Sequence, residues 1–182
     1  MRAIEPTFWG PTAWYILHRM SYHFKNISSA KIFYYTLPEI LPCGKCRRNI
    51  IYILDSIPFP NNVKNIPKWV IRIHNKVNKA LGKKIFRENS DKKNYDINIE
   101  YEMIFIKSLI ATHPGCKEIS IEYEEAIYIF LSNWFDSIKE TYPDIKLDKT
   151  KIKSRFAMKK FIKSLGDNCK KIEYCDTTSC RI

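Results

Sequence analysis

The chain has 182 residues, 45% of them hydrophobic and 27% charged, with a formal net charge of +12. That length and apolar content allow a packed core in one substantial domain, or in a domain with a helical extension. No apolar run approaches the roughly eighteen residues of a membrane helix, and the opening MRAIEPTFWGP lacks the basic-then-apolar order of a secretory signal, so the six cysteines do not imply secretion.

The apolar spacing is mostly helical, and glycine occurs only five times. A first helix is expected over Trp9–Phe24, with Thr7 and Thr12 as candidate caps and Pro11 in its first turn. Trp14, Leu17, His18 and the pair Ser21/Tyr22 share one of its faces. Ser28 and Ser29 are placed to cap a second helix over Ala30–Leu37, which Pro38 and Pro42 end. A third runs from Cys43 to about Asp55, with Ile50, Ile51, Ile53 and Leu54 suited to burial. The prolines and asparagines of 57–62 form a connector. Pro67 opens a fourth helix, Lys68 to about Leu81, and Gly82 ends it. A polar loop over 87–97 leads to a fifth helix over about Asn98–Ala111, closed by His113-Pro114-Gly115. Helices near 121–140 and 149–165 precede an irregular tail. With no repeat and no strand pattern, the expected fold is an all-α bundle.

The most informative segment is Leu41-Pro42-Cys43-Gly44-Lys45-Cys46-Arg47-Arg48. Pro42 ends one element and leaves Cys43 near the first turn of the next, where the helix dipole and unpaired amides favour a thiolate. Lys45, Arg47 and Arg48 add positive charge. A lone CxxC can be a redox pair, half of a zinc site or two buried thiols; zinc normally wants a second ligand pair at similar spacing, and no second CxxC exists. No metal is therefore expected.

Two further segments bear on the choice: Trp9-Gly10-Pro11-Thr12-Ala13-Trp14-Tyr15-Ile16-Leu17-His18, and His74-Asn75-Lys76-Val77-Asn78-Lys79-Ala80-Leu81-Gly82-Lys83. His74 and Asn78 share a helix face, and asparagines inside a helix disfavour a purely structural reading. Together WGPTAWYILH, PCGKC and HNKVNKALGK, in this order, resemble the Erv/ALR family of FAD-linked sulfhydryl oxidases, and especially its members from large DNA viruses. The likeness covers about residues 8–111.

The resemblance implies a four-helix bundle with a short fifth helix, and FAD as cofactor. Cysteine meets oxygen poorly, so a flavin carries that hard step. Cys43 and Cys46 become the catalytic pair, with Cys46 beside the flavin and Cys43 meeting the incoming thiol. Cofactor contacts are implied from Gly10, Trp14, His18 and Tyr22 on the first helix and from His74, Asn75, Val77, Asn78, Leu81 and Lys83 on the fourth. Tryptophan and histidine offer flat faces, asparagine its amide, and Lys83, with Lys84, a charge for the pyrophosphate. Implied partners are thiol-containing proteins and O2, with hydrogen peroxide as product. A homodimer without a membrane span, working in host cytoplasm or virion, fits the same likeness.

The domain organisation expected is an oxidase core over 1–111, an added helical region over 112–168, and a flexible tail over 169–182. In the added region Trp134, Phe135, Phe156, Met158 and Phe161 are available for packing. The tail carries Cys175 and Cys180, a CxxxxC pair expected to shuttle electrons to Cys43–Cys46, as second pairs on mobile termini do in the family; a structural disulfide or free thiols are the alternatives. Cys116 and Cys169 pair with each other or stay reduced. The cysteine that many family members carry just before the histidine motif is missing, since Ile71, Arg72 and Ile73 stand there. Two other functions compete. A flavin-free exchange protein lacks the βαβ setting its CxxC needs. A basic nucleic-acid-binding protein would use residues 145–172, where ten Lys/Arg face Asp148 and Asp167, but it leaves the three motifs unexplained.

Overall fold

Proline, glycine and asparagine set most of the helix boundaries. The structure, a computed structural model, describes residues 4–86, 95–114, 120–140 and 147–166. Helix α1 spans Pro6–His23, starting earlier than expected because Pro6 takes the first helical position. Neither threonine caps it. Glu5 stands at the N-cap without a side-chain bond, and the Thr12 hydroxyl turns back to the Trp9 carbonyl at 2.8 Å. Pro11 lies inside the helix rather than in its first turn. The carbonyl it leaves without an amide belongs to exposed Thr7, where water can serve it.

Helix α2 covers Ile27–Tyr34 and is capped by Asn26, whose Oδ1 accepts from the Ser29 amide, rather than by either serine. A short turn, α3 (Leu37–Ile40), then leads to α4 (Gly44–Ser56), α5 (Ile66–Ala80) and α6 (Ile99–Thr112). Helix α5 ends at Gly82, whose φ of 64° is the left-handed conformation that glycine adopts without strain. Asn98 caps α6 and Ser120 caps α7 (Ile121–Ser137). Helix α8 is Arg155–Gly166. The described residues contain no strand.

The core is one continuous cluster running from Trp9 to Ile162. Helix α1 is its axis, packed against α5 and α6. The ring of Phe130 from α7 stacks on Phe33 at 4.8 Å and meets Phe105 at 5.7 Å, so α2, α6 and α7 close over the same interior. The region after residue 111 thus shares the core of the region before it. Trp134, Phe135, Met158 and Phe161 are buried there as expected, whereas Phe156 is 77% exposed. Ile51, expected on the buried face of α4, is also exposed.

One buried polar network runs through this core. Arg19 of α1 makes a two-pronged ion pair with Glu102 of α6, at 2.6 and 2.8 Å, and the Trp134 indole of α7 donates to the same carboxylate at 2.5 Å. Glu102 is fully buried and Arg19 nearly so. Three helices therefore meet on one charge whose partners satisfy it.

Candidate functional site

The chain enters α4 through buried Pro42, and Cys43 takes the N-cap with extended backbone, φ −143° and ψ 119°. Its Sγ accepts from the Cys46 amide at 3.2 Å, and the two cysteines form a disulfide with Cα atoms 5.1 Å apart. Both are half-buried and pack on the core. A sulfur in this place sits where free amides and the dipole of a 13-residue helix stabilise negative charge. The guanidinium ends of Arg47 and Arg48 come within 3.8 and 3.9 Å of where a Cβ on Gly44 would stand. Two cations thus flank the residue between the sulfurs.

Neighbouring elements place this disulfide at one end of the bundle. The Ile4 amide donates to the Pro42 carbonyl, and the Trp9 indole donates to the Ile4 carbonyl, so the start of α1 stands beside Cys43. Helices α4 and α5 run antiparallel. The Trp69 indole bonds the Ile57 carbonyl at 3.1 Å, and one and a half turns back on α4 Tyr52 lies under Lys76, at 5.9 Å. Continuing in that sense brings the cysteines toward the C-terminal end of α5, where Val77, Asn78 and Lys83 stand.

Between α1 and α5 lies a cluster of rings. Trp14 stacks on His74 at 4.0 Å with planes 6° apart. His18 Nε2 and His74 Nδ1 are 2.9 Å apart in a hydrogen bond. Phe86 covers His74 at 4.8 Å, and Tyr95 stacks on His18 at 5.2 Å. Burial pushes the His18 imidazole down to about 4, and it pushes His74 down to about 3, with positive charge at His18 and Lys83 adding to the effect. Both rings are therefore neutral near pH 7.

This has a consequence for stability. In the unfolded chain these histidines take a proton near 6.5. Between that value and the folded ones the unfolded chain binds more protons, so stability is fully present above the window and falls as pH drops through it. Lowering pH from 6.5 to 5 should cost about 2 kcal/mol per histidine. His113, also pushed down by burial, adds in the same direction. Urea midpoints should therefore decline steadily over that range; a flat profile would contradict the buried neutral pair.

The structure brings Trp14, His18 and His74 together and sets half-buried Val77 on the turn beside them. Asn75 and Asn78 serve the chain itself. Asn75 accepts from the Phe86 amide and donates to the Phe86 carbonyl, both at 2.9 Å, while Asn78 donates to the Lys84 carbonyl at 3.2 Å. Lys83 is exposed, and its amide donates to the Asn78 carbonyl at 2.8 Å. Gly10 borders open space, and Tyr22 and Leu81 are exposed, at 61% and 60%. Cys116, Cys169, Cys175 and Cys180 lie outside the described residues. The sequence reading missed Phe86 and Tyr95; the one signal was an aromatic residue in an otherwise polar loop.

The residue set suits a flavin nucleotide chemically: neutral flat rings, a disulfide in the same bundle and exposed cationic Lys83 and Lys84. It does not offer a slot between α1 and α5, because Trp14 and His74 are in direct contact. What it offers a ring is the outer side of the half-buried stack, where Trp14, Phe86 and Tyr95 reach the surface.

Residues 11–98 match the Erv1 / Alr family. A protein of Acanthamoeba polyphaga mimivirus, named "Probable FAD-linked sulfhydryl oxidase", is 36% identical over 92 residues, which is 45% of this chain and 64% of that protein. The "FAD-linked sulfhydryl oxidase" of African swine fever virus (isolate Pig/Kenya/KEN-50/1950) is 33% identical over 98 residues, covering 50% of this chain and 82% of the viral one. The protein of the Tick/Malawi/Lil 20-1/1983 isolate matches to the same extent. No solved structure matches the chain. With 82% of an established relative covered, and with the CxxC, the tryptophan and both histidines inside or beside the matched span, the chain belongs to the Erv1/Alr family.

Proposed function

We propose that this protein is an FAD-linked sulfhydryl oxidase that forms disulfides in thiol-containing proteins and passes the electrons to O2. The observation that carries the reading is a half-buried Cys43–Cys46 disulfide at the N-terminus of α4, in the same bundle whose helices α1 and α5 gather Trp14, His18 and His74.

A substrate thiolate attacks Cys43 Sγ and releases Cys46 as a thiolate. The second substrate thiol, losing its proton, attacks the substrate sulfur of the mixed disulfide and releases Cys43. The substrate leaves as a disulfide, and Cys43 and Cys46 hold its two electrons. FAD, when bound, takes up those electrons and delivers them to O2, giving hydrogen peroxide. Trp14, Phe86 and Tyr95 would give the ring uncharged faces on the outer side of the stack, with neutral His18 and His74 behind them, and Lys83 and Lys84 would meet the phosphates. A homodimer, at work in host cytoplasm or virion, completes the reading; no described helix is long and apolar enough to cross a membrane.

The purified protein should carry a flavin absorption spectrum and consume oxygen when given dithiothreitol. A colourless protein that exchanges disulfides without consuming oxygen would sink the reading. The tail pair Cys175/Cys180 is proposed as a shuttle on the same reading. Replacing both by serine should leave dithiothreitol oxidation unchanged and slow a protein substrate by about tenfold, since tethered thiols act at high effective concentration. Equal rates on both substrates would remove the shuttle.

A further inference from the structure

Charge is segregated along this chain in a way the oxidase reading does not use. From residue 40 to 86 ten lysines and arginines accompany a single acid, Asp55. From 120 to 140 the balance inverts, with Glu122, Glu124, Glu125, Asp136 and Glu140 against Lys139. The first stretch is the one that contains the disulfide.

The fold turns that bias into a surface. On α5, Lys68, Arg72, Lys76 and Lys79 recur at i, i+4, i+4, i+3 and are all exposed, one stripe down the solvent face. On α4, Lys45, Arg48 and Tyr52 form a second exposed stripe that starts beside the cysteines. The stripes touch where Lys76 lies over the Tyr52 ring. Because the helices are antiparallel, Lys79 falls at the cysteine end. Arg72 and Lys68 fall at the far end, where they border an open hollow of about 280 Å³ with Trp69, Pro58 and Pro60. Lys68 to Lys79 is about 16 Å along the helix, the length of about five residues of extended chain.

We propose that the exposed faces of α4 and α5 form a cationic docking track for substrate proteins whose reactive thiols are flanked by an acidic segment of about five residues. The proposal rests on the oxidase reading for the fate of the thiols. Clustered positive charge raises the encounter rate of an acidic partner and orients it, an effect of ten- to thousandfold that salt abolishes. A protein fits better than a nucleic acid, because the track leads to a disulfide, which reacts with thiols.

Three dithiol peptides identical but for five flanking aspartates, serines or lysines test this against the oxidised protein. Acid quenching and alkylation, with the thiols gained counted by mass on the protein alone, follow reduction of Cys43–Cys46, a half-reaction that needs no flavin. The acidic peptide should react about tenfold faster than the serine one and the lysine peptide slowest, with the differences gone at 0.5 M salt (about 4 Å screening). Arg72→Glu/Lys76→Glu/Lys79→Glu should erase the acidic peptide's advantage and leave uncharged dithiothreitol within about twofold. Acidic and serine peptides reacting alike, while dithiothreitol works, would overturn the track and leave the oxidase intact. Failure of dithiothreitol itself would overturn the oxidase reading. A fluorescent cysteine-free acidic peptide then still decides the surface: its binding should weaken at least tenfold in the triple variant. An oligonucleotide that binds the track more tightly than this peptide also overturns the proposal.

Discussion

Cys46→Ser should abolish oxygen consumption with dithiothreitol, by at least about a thousandfold, and so should Cys43→Ser. A serine hydroxyl forms no disulfide, so the pair can no longer accept two electrons and nothing substitutes for the lost thiol. The structure says that the loss will not come from unfolding. Cys43 sits at an N-cap, and its Sγ accepts the Cys46 amide; serine is among the better residues for that position, so α4 keeps its start. Losing so short a covalent loop costs about 2 kcal/mol by chain entropy, and the reduced wild-type protein is the matching reference. The two variants should also differ. Given an oxidised substrate, the Cys43 thiolate of Cys46→Ser attacks its disulfide, releases one substrate thiolate and keeps a mixed disulfide that no second cysteine resolves, whereas Cys43→Ser should trap far less. Oxygen-electrode rates and non-reducing gels measure both; full turnover in either variant removes the pair from the reaction, and equal trapping removes the assignment of Cys43 as the outer sulfur.

Glu102→Ala should destabilise the fold by about 3–5 kcal/mol. The carboxylate is fully buried and holds Arg19 by two bonds and Trp134 by a third. Its removal strands a guanidinium that is 6% exposed and an indole N–H, and leaves a cavity. Glu102→Gln keeps the volume but not the charge and should cost nearly as much. Trp134→Phe removes one donor to a charged acceptor and shrinks a fully buried ring, and should cost about 2–3 kcal/mol. The informative variant is Arg19→Met with Glu102→Leu: replacing both charges by apolar groups should recover most of what the single change loses. Urea unfolding at pH 7 gives all four values. A Glu102→Ala cost under about 1 kcal/mol would mean that the pair is hydrated.

The legible parts of this molecule were those set by backbone chemistry and by residue order. Pro67 and Gly82 bounded α5 as expected because a fixed φ and a positive φ act locally. The CxxC was visible, and Trp14, His18 and His74 stood in the motifs that carry the family resemblance. What could not be read was the choice among equivalent local solutions. Asn26, Ser28 and Ser29 all cap well, and the fold uses Asn26. Nothing local says that Arg19, one of many basic residues, turns inward, because its reason is a carboxylate 83 positions away. Asn75 and Asn78 read as ligand amides, and both also fasten residues 84–86 to α5, a contact that only the return of the chain creates. Whether Phe86 and Tyr95 join the rings depends on the same return.

The meeting of α1, α6 and α7 on one carboxylate matters for anyone who would shorten this protein. The span shared with the family stops at residue 98, before Glu102 and before Phe105, Phe130 and Trp134. A fragment trimmed to that span would carry an arginine with no counter-charge in its interior and a bare apolar flank on α2. Such a fragment should clump rather than catalyse, so grafting its redox end onto another scaffold must bring the later helices along.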